Sequence, residues 1–212
     1  MTDRKKSSVA SSALSKGPSS SSSSSANKEN KGSSSRPAIP SAPCRIKILS
    51  LGSGGVGKSC LIKRYCEERF VSKYIATIGV DYGVKAVSID GMDVKVNFWD
   101  LSGHPEFFEI RNEFYKDAQG IMLVYDVSAR ESFDDIEAWL QEAIKFGAAP
   151  REIPVALCAN KADKKRMVSE EEGRQLASSK GMSYFEMSAC SGDNVNEMFD
   201  YLFQACIRKM KV

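Results

Sequence analysis

The sequence predicts an α/β fold, a six-stranded and mostly parallel sheet flanked by about five helices. Three observations predict it. From Cys44 onward, short apolar runs alternate with stretches of helical spacing. Two of those runs, 120–127 and 154–159, are apolar almost throughout, as strands covered on both faces are. The first run leads through a glycine-rich loop directly into a helical pattern.

The elements follow in order. Arg45–Leu51 alternates and then runs apolar, as a strand does. Ser59–Glu68 places Leu61, Ile62 and Tyr65 at helical spacing. Val80–Ser88 and Lys95–Asp100 read as two strands, with Asp90-Gly91 between them as a hairpin signal. Gly120–Val127 reads as a buried strand. Ser132–Phe146 reads as one helix with a stripe of Phe133, Ile136, Trp139, Leu140 and Ile144. Pro154–Ala159 is a second buried strand, and Glu170–Lys180 a helix stopped by Gly181. Tyr184–Met187 is a short last strand, and Asn194–Lys209 a closing amphipathic helix.

Composition divides the chain. Residues 1–43 hold 16 Ser, seven Lys or Arg, two acidic residues and no aromatic residue. Such a segment buries too little apolar surface to offset its ordering entropy, so a disordered Ser-rich tail is expected there. Residues 44–212 hold 23 basic and 25 acidic residues and suffice for one domain. The net charge of +3 therefore belongs to the tail, and it is no argument for nucleic-acid binding by the remainder. The six Cys form no C-x-x-C pair and His104 is the only His, which disfavours a zinc site. Without an apolar leader or an apolar run near 18 residues, a cytoplasmic chain with reduced thiols is expected, nuclear or ciliary association being alternatives.

Two motifs carry chemistry. Gly52-Ser53-Gly54-Gly55-Val56-Gly57-Lys58-Ser59 matches G-x-x-x-x-G-K-[ST] between a strand and a helix. Its backbone N–H groups form an anion nest at the positive end of that helix. Lys58 would reach the β- and γ-phosphates, and the Ser59 hydroxyl would ligate Mg²⁺. The alternative, a flexible turn, gives no reason for the strand–loop–helix context.

The second motif is Asn160-Lys161-Ala162-Asp163 after the strand ending at Ala159. The edge of guanine offers two N–H donors to one carboxylate, here Asp163. Adenine would leave that carboxylate unmatched. Lys161 would lie over the base, and Asn160 would tie this loop to the phosphate loop. Ser188-Ala189-Cys190 follows the last strand, where the Ala189 N–H would donate to a 6-oxo group. Alone, N-K-x-D is an ordinary solvated turn; its order after the phosphate loop gives it meaning.

These residues resemble the Ras superfamily of small GTPases, a P-loop NTPase fold, and within it the Rab branch. Ala76-Thr77-Ile78-Gly79, Trp99-Asp100-Leu101-Ser102-Gly103 and Glu131-Ser132-Phe133 carry the resemblance. Lys63–Cys66, Phe70–Gly83 and Arg111–Asp117 are similar to the Rab-like family called RJL. The resemblance implies GTP or GDP with Mg²⁺ as ligands. It implies that Thr77 completes the metal shell in a first switch and that Asp100 holds Mg²⁺ through water. It implies a γ-phosphate contact from the Gly103 N–H, Phe70 edge-on to the base, Tyr74 over the phosphates, and Cys60 in the nucleotide shell. The catalytic set expected on this basis is Lys58, Thr77, Gly103 and His104.

His104 departs from the family pattern, where Gln usually follows the D-x-x-G glycine. A carboxamide accepts from the attacking water while donating to phosphate; a rigid imidazole beside Pro105 cannot match that geometry. Intrinsic hydrolysis is therefore expected at or below the ~10⁻⁴ s⁻¹ scale of an unassisted Ras-type enzyme. His104-Pro105-Glu106 lies within the second switch segment and is not read as a J-domain signature, and no J domain is expected in this chain. The end Arg208-Lys209-Met210-Lys211-Val212 has no C-a-a-X or paired Cys, and Thr2 excludes myristoylation. No lipid anchor and at most peripheral membrane contact are expected.

The leading expectation is a monomeric, Rab-like nucleotide switch with weak hydrolysis, signalling to protein effectors through its switch segments. The rival is a constitutively GTP-bound scaffold. A nucleoside kinase leaves Asp163 and Ser188-Ala189 without a role.

Overall fold

The computed structural model describes residues 44–211; the Ser-rich tail expected at 1–43 lies outside them. Six strands are present: β1 Cys44–Leu51, β2 Val80–Ile89, β3 Met92–Leu101, β4 Gly120–Asp126, β5 Val155–Asn160 and β6 Ser183–Glu186. They form one sheet in the order β2-β3-β1-β4-β5-β6. Only β2 and β3 pair antiparallel; the rest of the sheet is parallel. The β2–β3 hairpin turns at Asp90 (φ 51°) and Gly91 (φ 75°), both left-handed, as a two-residue primed turn requires.

Helix α1 is Lys58–Glu67, α2 Phe108–Asn112, α3 Arg130–Asp134, α4 Ile136–Lys145, α5 Glu170–Lys180 and α6 Val195–Met210. A single 3-10 turn, Pro105–Phe107, precedes α2. Helix α5 begins with a reciprocal capping box between Ser169 and Glu172 and ends at Gly181 (φ 68°).

The two-residue period of β1 builds the two core layers. Ile46 and Ile48 face α1 and α6, while Leu49 and Leu51 face α4 and α5. In the first layer Tyr65, Phe98, Phe199 and Phe203 pack as a cluster with ring centroids 4.5–6.4 Å apart. In the second, Trp139, Leu140, Ala143, Val168 and Ala177 cover the sheet.

Three expectations about elements need correction. The helix predicted over 132–146 is two segments, α3 and α4, which meet at Asp135 (φ −74°, ψ −11°). The Asp135 carboxylate there accepts from Ser53 Oγ at 2.8 Å, a tertiary contact that helical spacing does not encode. The buried stripe of α4 is Ile136, Trp139, Leu140 and Ala143; Ile144, one position round the helix, is exposed. The 3-10 turn and α2 were not foreseen, because 105–112 carries no regular apolar period.

Gly120 opens β4 where α6 crosses the sheet. A Cβ there would stand 2.7 Å from Cys206 Sγ and 3.0 Å from Ile48 Cδ1. Gly120→Ala is expected to cost about 1–3 kcal/mol by overpacking, read as a lower urea midpoint with an unchanged slope.

At the end of β6 Arg166 clamps Glu186 bidentately at 2.6 and 2.6 Å, and Tyr184 donates at 2.8 Å. The Arg166 hydrogen bond holds the Glu186 carboxyl below its ordinary range, against the opposing pull of burial. A carboxylate depressed in the folded state stabilises fully above its unfolded pKa of about 4.3. That contribution fades as the pH falls through the folded value. The stability gap between the native chain and Glu186→Gln is thus expected to be about 1 kcal/mol near neutrality and to shrink below about pH 4. Urea titrations at both pH values read it.

Candidate functional site

The strand order changes direction around β1: β3 lies on one side of it and β4 on the other. A crevice at the carboxyl ends of the strands is expected at such a point. Here it is a cleft of ≈ 560 Å³. The loops after β1, β3, β5 and β6 line it, with the 68–79 segment closing one side.

The loop after β1 wraps because two glycines permit it. Gly57 has φ 101°, and a Cβ on it would lie 2.4 Å from Asn160 Nδ2. Gly103, arriving from β3, touches the same loop: its Cβ would lie 2.4 Å from Gly54 N. Any side chain at either position would separate the loops. Helix α1 starts here with no side-chain cap and no acidic residue in its first turn. Its leading N–H groups and its positive dipole end face the cleft, ready for an anion.

Lys58 is buried within this loop. Its Nζ donates to Gly52 O at 2.6 Å and Ser53 O at 2.9 Å. Burial pushes its pKa down to about 8, opposed by the nearby Asp100 carboxylate and reinforced by Arg111. Ser53 contributes only backbone to the loop. Its hydroxyl is turned away to Asp135, and it accepts from Trp139 Nε1 at 3.2 Å.

Three oxygen donors converge at the start of α1. Ser59 Oγ lies 3.0 Å from Thr77 Oγ1 and donates to Asp100 Oδ2 at 2.5 Å. Asp100 Oδ1 is buried and has no hydrogen-bond partner. Burial raises the Asp100 pKa, against the Ser59 hydrogen bond and the Lys58 charge. Among the described residues no three His, Cys, Asp or Glu cluster. Two hydroxyls and one carboxylate suit a hard cation that keeps water and ligand oxygens, which is the manner of Mg²⁺.

The base end is built by cross-links between loops. Asn160 Nδ2 donates to Val56 O at 2.7 Å, as expected from the sequence. Lys161 Nζ donates to Gly55 O at 2.8 Å and pairs with Asp126 at 2.7 Å. Asp163 Oδ1 accepts from Ser188 Oγ at 2.6 Å, which fixes the plane of that carboxylate. Phe70, Cys60 and Cys190 line the cleft, with Phe70 39% exposed. The Ala189 N–H donates to Asn160 Oδ1 at 3.1 Å, within the chain. Asn160 needs a donor for its buried oxygen, and Ala189 is the N–H within reach.

At the phosphate end the His104 imidazole rests over Gly54, where a Cβ would be 3.0 Å from Cε1. Its Nε2 lies 2.9 Å from the Tyr74 hydroxyl, bridging the two expected switch segments.

Four residues escaped the sequence reading. Asp126 anchors Lys161, and Arg64 donates to Ala189 O at 2.9 Å and to Cys190 O. Arg111 and Glu142 form a bidentate pair beneath the segment that carries His104. Asp126, the last residue of an apolar strand, carried a local signal; the Arg64–Ala189 and Arg111–Glu142 contacts span 125 and 31 positions and carried none.

The Ras family model matches residues 47–208. The chain is 54% identical over 166 residues to a zebrafish (Danio rerio) protein named DnaJ homolog subfamily C member 27, covering 76% of this chain and 61% of that one. The mouse (Mus musculus) protein of that name is 52% identical over 174 residues, covering 79% and 63%. The human (Homo sapiens) protein is 54% identical over 170 residues, covering 77% and 62%. The chain thus spans a little over three fifths of the length of these curated relatives. With its sheet order, its phosphate loop and a family match across nearly all the described residues, this chain belongs to the Ras family.

Proposed function

We propose that residues 44–212 are a Rab-like GTP/GDP switch that uses Mg²⁺ and hydrolyses GTP slowly. The observation that carries the reading is one cleft reached by both motif loops. Lys58, Ser59, Thr77 and Asp100 stand at one end, and Lys161 and Asp163 at the other.

The division of labour follows from the contacts. The N–H groups of 54–59 and the start of α1 receive phosphate oxygens. The Lys58 ammonium, already inside the loop, gains an anionic partner without moving far. Ser59 and Thr77 would hold Mg²⁺ by their hydroxyls and Asp100 through water; the cation would supply charge neutralisation to phosphate oxygens. Gly103 packs against the phosphate loop, and its N–H senses the γ-phosphate. Asp163 accepts from the base, with the long Lys161 stem above the ring.

His104 decides the rate. Tyr74 takes one ring nitrogen. The other is then either a donor or an acceptor, while orienting a water against phosphate needs both at once. The same contact favours the second reading, a chain that stays GTP-bound and presents its exposed first switch, Ile75 and Ile78 included, to a protein partner.

Two measurements test this. The purified chain is expected to carry GTP or GDP, and Asp163→Asn to weaken both by about 10²-fold, because a donor replaces the acceptor facing two donors. Undiminished affinity in that variant overturns guanine reading by Asp163. In single-turnover assays His104→Gln is expected to raise hydrolysis about tenfold or more. A variant no faster than the native chain removes His104 as the cause of slow turnover. Bound GTP that persists over hours in both favours the scaffold.

A further inference from the structure

Arg64 stands in the last turn of α1 and has no part in the chemistry proposed above. One edge of its guanidinium, Nε and Nη2, donates to two consecutive carbonyls, Ala189 O at 2.9 Å and Cys190 O. The remaining nitrogen, Nη1, donates to Glu68 O at 3.2 Å. Its stem lies beside the turn that follows Cys190: a Cβ on Gly192 would stand 3.8 Å from Arg64 Cδ and Nε. The Gly192 N–H closes that turn by donating to Ser188 O at 2.8 Å. A cation is favoured at this carbonyl end of a helix.

Three parts of the cleft meet in this one fork. Ala189 and Cys190 line the cleft, and Glu68 lies two residues before Phe70, which lines it too. The third part is α1 itself, which carries Lys58 and Ser59 in its first turn. Arg64 follows Lys58 by six residues, about 9 Å along the helix axis. The Ala189 residue is gripped from two sides. Asn160, on β5, accepts from its N–H at 3.1 Å, and Arg64, on α1, donates to its carbonyl. A planar fork can span two neighbouring carbonyls and still reach a third; an ammonium on a flexible stem holds no such geometry.

We propose that Arg64 is a positioning residue for the base. Its fork sets the 188–190 loop, and the backbone leading to Phe70, at fixed places relative to the helix that carries Lys58 and Ser59. The two walls beside the base are then registered to the phosphate end through one rigid helix. The proposal rests on the reading of the cleft as a guanine nucleotide site and adds a source of base selectivity outside the two motifs.

Release of GDP and of 6-thio-GDP from the full chain tests it. The thio analogue keeps both N–H donors for Asp163 and changes only the 6-substituent, the group expected to face the 188–190 loop. The native chain is expected to hold GDP about tenfold longer than the analogue. Arg64→Met is expected to release GDP about tenfold faster and to treat the two nucleotides alike to within about twofold. Arg64→Lys, which keeps the charge but not the fork, should fall between. If Arg64→Met does not fold, Arg64→Lys decides alone. Chelation of Mg²⁺ should speed GDP release by the same factor in native chain and variants, since Ser59, Thr77 and Asp100 are untouched. A native chain indifferent to the 6-substituent overturns the proposal, and so do variants that keep the native preference. A changed response to chelation also overturns it, because the damage then reaches the whole cleft. A native chain that retains no guanine nucleotide overturns the functional reading itself, and the first measurement shows this before any variant is made.

Discussion

The cleft depends on one buried amide. Asn160, 1% exposed at the end of β5, donates to the carbonyl of Val56 and accepts from the N–H of Ala189. It thereby ties the loop after β1 and the loop after β6 to the strand between them. On the proposed reading each of those loops carries half of a binding function: anion contacts on one, base contacts on the other. Parallel strands deliver their loops to the same edge of a sheet, but they do not fix the distance between them. Asn160 does, and its side chain is suited to it, with a donor pair and an acceptor on opposite sides of one rigid plane. Gly57 is glycine for the same reason, since a Cβ would occupy the position of Asn160 Nδ2.

From that tie the rest of the site divides into parts that are held and parts that are loose. Lys58, Ser59, Asp100, Asn160 and Asp163 are each bonded within the chain. Ser188 and the pair Arg166–Glu186 extend the bracing outward to β6. The 70–78 segment contrasts with this. Tyr74 is 62% exposed and Ile78 82%, and few side-chain bonds anchor them. Low local stability is the condition under which binding of a distant phosphate group can reorganise a segment. On the proposed reading the exposed apolar side chains there would make such a reorganisation visible to a partner.

Legibility followed the sequence separation of the contact. The phosphate loop, the guanine-reading loop and the Asp90-Gly91 hairpin were readable because glycine conformations and motif chemistry are local. The whole sheet was readable from apolar runs, with β3 found three residues longer at its start than the alternation indicated. The break at Asp135 was not, since it reflects a bond to Ser53 over 80 positions away. Ile144 was misplaced because spacing alone cannot tell whether position i+7 or i+8 of a stripe meets the sheet; Ala143 is small but inward. The Asn160–Ala189 bond was likewise not readable, since it joins positions 29 residues apart.

The electrostatics of the cleft explain why such a site favours a polyanion together with a cation. Lys58 is an ammonium in a desolvated loop with two neutral carbonyls for company, and its pKa falls to about 8. Asp100 is a carboxylate with one oxygen bonded to Ser59 and the other buried without a partner, and its pKa rises. Each charge disfavours its own ionised form through burial, and their mutual attraction offsets this only in part. Hydrophobic replacements would relieve the cost, as they do for many buried ion pairs. Here they would also remove the only features that distinguish phosphate and metal from water. An anion beside Lys58 and a cation beside the Ser59–Asp100–Thr77 group would each restore the ordinary ionisation of the neighbouring side chain. On the proposed reading the two ligands would bind cooperatively, because each reduces the charge imbalance that the other would face alone. A fold stabilised by two well-packed layers tolerates those unfavourable burials.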